Sequence, residues 1–200
     1  MKNILIVGGS SGIGLALVEQ LAEDHNVFVA SRTSESLVGK NCTHIPYDVM
    51  SQELDVSLLP ELHGFVYCPG SINLRPFKGL KPETFQADFD LNVMGAIKSL
   101  QALGKNLQAT THASVVFYST VAVQTGMPFH ASVAAAKGAL EGLTRSLAAE
   151  WAPKIRVNCI APSLVNTPLA DKFLNNEAKM EKAGERHPLQ RVGTAKEIAE

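Results

Sequence analysis

The chain has 200 residues, of which 46% are hydrophobic, and its formal net charge is −1. This length and apolar content predict one soluble α/β domain that can bury a substantial core. Because the charge is nearly balanced and Lys and Arg are dispersed, we expect neither a basic stripe for nucleic acid nor a polybasic membrane patch.

The cysteines and the N-terminus bear on the cellular compartment. Cys42, Cys68 and Cys159 lack C-x-x-C spacing, and this pattern predicts reduced thiols in the cytoplasm. Only four strongly apolar residues precede the first glycine, too few for a signal peptide, and no run approaches the roughly 18 apolar residues of a membrane helix. We predict no metal ligands.

The chain opens with the apolar run 3–7, a glycine-rich turn and a helical pattern over 13–24, in which the glycines are spaced Gly8-x-x-x-Gly12-x-Gly14. Glycine lets the backbone approach a pyrophosphate, and a helix N-terminus directs free N–H groups at the anion. The sequence therefore predicts a dinucleotide site here. The alternative is a tight strand-to-helix connection with no ligand.

Apolar runs and helical patterns then alternate to the end of the chain. Further strands are predicted at 26–31, 43–48, 64–68, 113–119 and 154–160, and further helices at 83–108, 131–151 and 169–183. This alternation is typical of a Rossmann-type doubly wound parallel sheet with helices on both faces. Ligands bind at the carboxyl ends of such strands, so we expect the site in the irregular segments 69–82 and 161–168.

Several separated motifs make the whole chain resemble a short-chain dehydrogenase/reductase. The resemblance implies a cofactor site whose residues are Gly8, Ser10, Ser11, Gly12, Ile13, Gly14, Asp48, Val49, Pro69, Gly70, Pro162, Val165 and Thr167. It also implies that Asn92, Thr120 and Lys137 are catalytic, with Lys137 holding the nicotinamide ribose as well. The sequence departs from the family pattern at Val7, Tyr67, Cys68 and Ser163, and Thr120 occupies the family's serine position.

The largest departure is Val133, which stands where the family has its proton-donating tyrosine. Reduction of a carbonyl needs a positioned acid because an alkoxide develops as hydride arrives. Seven residues make nearly two helical turns, so His130 would share a face with Lys137, and we predict that it is the substitute acid. The alternatives are an ordered water, Tyr118, or a His130 that only contacts the preceding loop. For Ser132, helix capping is the expected role.

The end of the second predicted strand bears on cofactor choice. Arg32 follows Ser31 there, and no carboxylate occurs before Glu35. A carboxylate at this place holds the ribose 2′-hydroxyl of NAD, whereas an arginine pairs with a 2′-phosphate. We therefore favour NADP(H), with Ser10, Ser11 and Ser31 as further phosphate donors, and keep NAD(H) as the alternative. Arg32 could also simply face solvent.

The helix predicted at 131–151 carries a stripe of small residues: Ala131, Ala135, Gly138, Ala139 and Gly142. In the family this helix and the preceding long one form a dimer interface, so a homodimer or homotetramer is implied; the alternative is that the stripe faces the sheet.

The chain ends at the start of what resembles the family's penultimate helix. We therefore expect that residues 1–200 form a single domain without the family's last strand.

Three functional interpretations follow from these residues. The first is an NADP(H)-dependent oxidoreductase of a small-molecule carbonyl or alcohol with a non-standard proton donor. The second is a catalytically impaired NADP(H)-binding protein that serves as a redox sensor or partner subunit. The third is a scaffold with an empty site, which the retained Gly8, Arg32, Asp48 and Lys137 disfavour.

Overall fold

The computed structural model describes residues 1–200 and contains a six-stranded parallel sheet. Its strands are β1 (Asn3–Val7), β2 (Asn26–Ser31), β3 (Cys42–Pro46), β4 (Gly64–Tyr67), β5 (Ala113–Tyr118) and β6 (Ile155–Ile160). The spatial order is β3-β2-β1-β4-β5-β6, which confirms the predicted doubly wound Rossmann-type sheet. Its topological switch point lies between β1 and β4, so a ligand crevice is expected beyond their carboxyl ends.

Helices cover both faces of this sheet. They are α1 (Gly12–Leu21), α2 (Pro82–Phe89), α3 (Gly95–Ala102), α4 (Gly104–Gln108), α5 (Ala122–Thr125), α6 (Ala131–Trp151), α7 (Asp171–Leu174), α8 (Glu177–Gly184) and α9 (Ala195–Ala199). None of them is both long enough and apolar enough to span a bilayer.

The core has two main parts, one on each face of the sheet. One part joins side chains of the central strands to Leu100 of α3, Leu107 of α4, Leu103 between these two helices, and Leu140 of α6. The other joins the opposite strand faces to α1 and α9. Because both faces are covered, each of β1 and β4 is apolar along most of its length, as expected for parallel strands.

The helix predicted over 83–108 is divided into shorter pieces. A π-helical turn at Asp90–Met94 separates α2 from α3, and Leu103, with φ −90° and ψ 0°, separates α3 from α4. An extra residue in a helical turn is not visible as a break in hydrophobic spacing, so the sequence pattern overestimated the length of this helix.

The prediction of a single helix over 169–183 is also wrong. A 3₁₀ turn at Pro168–Ala170 leads into the four-residue α7, and α8 starts afresh after Asn176. The Asn176 side chain accepts a hydrogen bond of 2.9 Å from the Lys179 N–H, so it caps the new helix. A small unpredicted pair of parallel strands, β7 (Val165–Asn166) and β8 (Gly193–Thr194), ties the ends of this region together.

Candidate functional site

The glycine turn after β1 has a conformation that only small residues tolerate. Gly8 and Gly12 have positive φ angles of 78° and 53°. A Cβ on Gly14 would collide with the carbonyl oxygen of Gly8. The first turn of α1 therefore packs directly against the end of β1, which leaves its N–H groups open to an anion. This cradle fits the pyrophosphate of a dinucleotide.

The end of β2 lies beside this turn. Thr33 Oγ1 is 3.3 Å from Ser10 Oγ, and Ser36 Oγ donates to the Ser10 carbonyl at 2.6 Å. Arg32 and Ser11 are exposed, and the Ser11 side chain makes no capping hydrogen bond to α1. The exposed Arg32 and the hydroxyl groups of Ser10 and Thr33 thus belong to the segments that meet where the sequence predicts a ribose 2′-substituent. Ser31 is buried, and its hydroxyl donates to the Thr33 carbonyl.

The opposite wall comes from loops that are distant in sequence. A Cβ placed on Gly8 would lie 3.0 Å from Pro69 Cδ, and one on Gly12 would lie 3.4 Å from Thr167 Cβ. The Val121 N–H donates to the Pro162 carbonyl at 3.2 Å, which joins the loops after β5 and β6. The structure therefore brings four predicted cofactor segments to one edge of the sheet: the glycine turn, the end of β2, the segment with Pro69, and the loop with Pro162 and Thr167.

The remaining predicted cofactor residues have mainly structural contacts here. Asp48 Oδ1 accepts a 3.0 Å hydrogen bond from the Met50 N–H in the turn after β3. Val49 lies against Gly95, where a Cβ would strike its methyl group. Ile13, in the first turn of α1, packs against the core, and Val165 is buried. Their contacts to a cofactor stay predictions.

The π-helical turn positions Asn92. The Tyr67 hydroxyl donates to the Leu91 carbonyl at 2.6 Å, so the tyrosine that replaces a family asparagine supports this turn. Asn92 is fully buried, and its Nδ2 donates to the Asp88 carbonyl at 2.7 Å and to Ser71 Oγ at 3.0 Å. Its Oδ1 has no hydrogen-bond partner. Because both amide hydrogens are occupied, the orphaned oxygen is the group that Asn92 offers to the site.

Lys137 meets Asn92 next to Gly70. A Cβ placed on Gly70 would lie 3.3 Å from Asn92 Oδ1 and 3.4 Å from Lys137 Nζ. Burial lowers the pKa of Lys137 to about 8, and Cys159, Cys68 and Asp88 partly oppose that shift. The structure thus brings three predicted site residues together and places a readily titrated amine among them.

Thr120 lies just beyond β5, at the same edge of the sheet. Its Oγ1 accepts from the Ala122 N–H at 3.3 Å. The preceding Ser119 donates to Glu141 Oε1 at 2.6 Å, and Gln124 donates to the other carboxylate oxygen at 2.8 Å. Glu141 is buried one turn beyond Lys137 on α6, so this network holds the Thr120 loop against the helix that carries the lysine.

Val133 is buried on α6, and nothing in its side chain replaces a phenol. His130 precedes the helix, and its Nδ1 donates to the Pro128 carbonyl at 2.7 Å, so its assignment as the acid stays a prediction. Tyr118 belongs to the core, and burial raises the pKa of its phenol well above the usual value. The capping role expected for Ser132 is wrong, because His130 occupies the N-cap and Ser132 Oγ is buried without a partner.

The sequence analysis did not predict two groups of interacting polar residues. Asp88 is buried, and its Oδ1 accepts from Ser71 and Asn73, each at 2.6 Å. Separately, Ser163 Oγ lies 2.8 Å from Nε2 of His187. Ser71 and Asn73 lie in the irregular segment after β4, which was a signal. Asp88 had none, because an acidic residue in a helical pattern usually faces solvent.

Comparisons with known proteins agree with this geometry. A family model described as enoyl-(acyl carrier protein) reductase matches residues 7–200. The 2,5-dichloro-2,5-cyclohexadiene-1,4-diol dehydrogenase of Sphingobium indicum is 32% identical over 100% of this chain and 87% of its own length. A short chain dehydrogenase family protein from Francisella tularensis is 29% identical with a TM-score of 0.90, over 100% of this chain and 88% of that chain.

The structure of ElxO with NADP bound is 26% identical to this chain and superposes with a TM-score of 0.88, over 100% of this chain and 89% of that chain. The chain therefore belongs to the short-chain dehydrogenase/reductase family. It is an oxidoreductase of that type.

Proposed function

We propose that this oxidoreductase interconverts a small-molecule carbonyl and its alcohol with NADP(H) as the cofactor. The observation that carries the cofactor choice is the end of β2, where Arg32 is exposed beside the hydroxyls of Ser10 and Thr33. A guanidinium there pairs with a 2′-phosphate, whereas NAD(H) would need a carboxylate that the segment before Glu35 lacks. The NADP-bound ElxO structure supports the same choice.

The chain's own groups have separable roles in this proposal. The turn from Gly8 to Gly14 would bind the pyrophosphate, and the loop with Pro162 and Thr167 would hold the nicotinamide end. When bound there, NADPH would supply the hydride for the carbonyl carbon. Thr120 orients the carbonyl oxygen by a hydrogen bond, and Asn92 and Lys137 form the polar floor of the site.

The proton donor is non-standard in this proposal, because Val133 removes the family's phenol. This same observation favours a second candidate, a catalytically impaired NADP(H)-binding protein that acts as a redox sensor or partner subunit. Both candidates predict NADPH binding. They differ in turnover, because only the first has an acid that completes the reaction.

The experiment that separates these two candidates is steady-state NADPH oxidation across ketones, aldehydes and quinones, with NADPH binding measured in parallel. We expect turnover in the wild type, and a loss of 10²- to 10⁴-fold in whichever variant removes the acid. A wild type that binds NADPH without turnover would establish the sensor. Val133→Tyr serves as the matched variant, since it returns the phenol to its family position.

We also propose that the protein is a cytoplasmic homodimer or homotetramer. The small residues Ala135 and Gly142 are exposed on α6, and no atom lies within 4 Å of a Cβ built on Gly142, so the stripe does not face the sheet. A groove of about 630 Å³ between α2 and α6 adds exposed aromatic side chains, including Phe77 and Phe89. Ala135→Glu should shift the species seen by light scattering to the monomer.

The thiols of Cys42, Cys68 and Cys159 are all free, which supports the proposed cytoplasmic location.

A further inference from the structure

We propose that the Lys137 ammonium itself is the proton donor of this chain and that buried Asp88 is the positioning residue that holds it protonated. The proposal rests on the proposed carbonyl reduction and identifies the donor which that function leaves open. It assigns Lys137 a direct role, in addition to any contact with the nicotinamide ribose.

The position of Val133 on α6 leaves Lys137 as the nearest family-matched group that could donate a proton. Val133 lies one helical turn before Lys137 on α6, so both project from the same face of the helix. The shorter valine side chain no longer fills the place of a phenol between the lysine and a substrate. Lys137 Nζ lies 3.4 Å from a Cβ position on Gly70, at the crevice beyond β4, and it makes no salt bridge to a carboxylate.

Asp88 and Asn92 place buried acceptor oxygens in the same part of the site. Asp88 is 1% exposed, and its Oδ1 is occupied by Ser71 and Asn73, but its Oδ2 has no partner. Asn92 Oδ1 is likewise buried without a partner. Asn92 Oδ1 and Lys137 Nζ lie on either side of the same Gly70 position, so an acceptor oxygen is close to the amine. Asp88, one turn before Asn92, makes no salt bridge to Lys137 and favours the charged amine through its negative charge.

The charges that face Lys137 come from three elements. Asp88 lies on α2, Cys68 follows β4, and Cys159 lies on β6. Burial raises the pKa of Cys68 to about 12 and also raises that of Cys159, so both thiols are neutral near pH 7. Cys159, Cys68 and Asp88, in that order, offset part of the burial that brings the pKa of Lys137 down to about 8, and Asp88 is the only carboxyl group among them. An acid with this pKa is well matched to proton transfer near neutral pH.

The proposed reduction transfers one hydride and one proton to the carbonyl group. Hydride from the reduced nicotinamide forms the new C–H bond, and the C=O π electron pair moves onto oxygen. One N–H bond of the Lys137 ammonium breaks while the O–H bond of the alcohol forms, which leaves a neutral amine. A proton from solvent then restores the ammonium, and the oxidised nicotinamide leaves. The reverse sequence oxidises an alcohol.

The first test measures the proton on the cofactor-free protein. Lysine ¹³Cε resonances should show one residue, assigned by its absence in Lys137→Arg, that titrates near pH 8 while the other lysines do not. Asp88→Asn keeps the size and an acceptor oxygen but removes the charge, so it should lower that midpoint. Asp88→Glu should retain it. A Lys137 that titrates with the exposed lysines, or one unaffected by Asp88→Asn, would overturn the proposal.

The second test uses NADPH and a carbonyl substrate that the wild type turns over. Reduction should fall about tenfold per pH unit above pH 8, and in Asp88→Asn the decline should begin at lower pH, whereas a merely structural role would change the rate equally at all pH values. Lys137→Arg keeps a positive charge that does not dissociate, so NADPH binding should survive and reduction should be lost. Turnover in Lys137→Arg, or a loss confined to His130→Ala, would overturn the donor alone. No turnover in the wild type with NADPH bound would overturn the proposed function as well.

Discussion

Gly14 has no Cβ, and this allows α1 to begin directly behind β1. A methyl group at this position would strike the Gly8 carbonyl, so Gly14→Ala must push the helix away from the strand. We expect NADPH binding to be lost while the fold persists, because the displaced N–H groups no longer converge on the pyrophosphate. Calorimetric titration of the folded variant measures this. Gly104→Ala is the control, since nothing lies within 4 Å of a Cβ there. Equal binding in both variants would contradict the assigned phosphate site.

Arg32 tests the choice between the two nicotinamide cofactors. If its guanidinium pairs with the 2′-phosphate, Arg32→Ala should weaken NADPH binding by about 1.5–3 kcal/mol, the range for hydrogen bonds to charged groups. NADH lacks that phosphate, so its affinity should hardly change. Fluorescence titration with both cofactors checks the difference. Equal losses for the two cofactors would refute the pairing.

At the scale of the element, α6 both fills the core and carries the site. Leu140 is fully buried one turn after Lys137, so Leu140→Ala removes apolar contacts and leaves a cavity. We expect a loss of about 2–5 kcal/mol in the free energy of unfolding, measured by urea denaturation. The same substitution at Leu58, which is 64% exposed, should cost far less. Similar losses for the two would mean that α6 does not anchor this face of the sheet.

The elements also show what the sequence pattern could predict. Apolar periodicity located the six strands of the sheet to within two residues and gave α6 its observed bounds, because these elements are uniformly buried or amphipathic. It could not show the π-helical turn around Asn92, whose support comes from Tyr67, a residue distant in sequence. Nor could it show the break before Asn176, where a side-chain cap outweighs the helical pattern.

At the scale of the whole molecule, the parallel sheet gathers residues from most of the chain at one edge. The motifs after β1, β4, β5 and β6 were predictable as a group, since parallel strands place their carboxyl ends together. The buried charge arrangement was not, because the burial of Asp88 depends on how α2 packs against α6 and the loop after β4. That arrangement places a charged lysine in the interior, and folding stability must depend on its protonation.

The pKa of Lys137 is about 8 in the folded protein, against 10.5 for an ordinary lysine. Between these pH values the unfolded chain binds more protons, so the burial penalty is complete below pH 8 and is relieved as the pH rises toward 10.5. A gap of about 2.5 in pKa corresponds to about 3 kcal/mol.

Lys137→Met removes this penalty, so its advantage over the wild type in the free energy of unfolding should shrink by about 3 kcal/mol between pH 7 and pH 10.5. Urea denaturation of both proteins across that range measures the difference, and thiol and phenol deprotonation cancels because both proteins share those groups. Lys98→Met is the control, because Lys98 is exposed and its charge stays in water on folding. Parallel pH profiles for the wild type and Lys137→Met would show that the lysine is not buried as an ammonium.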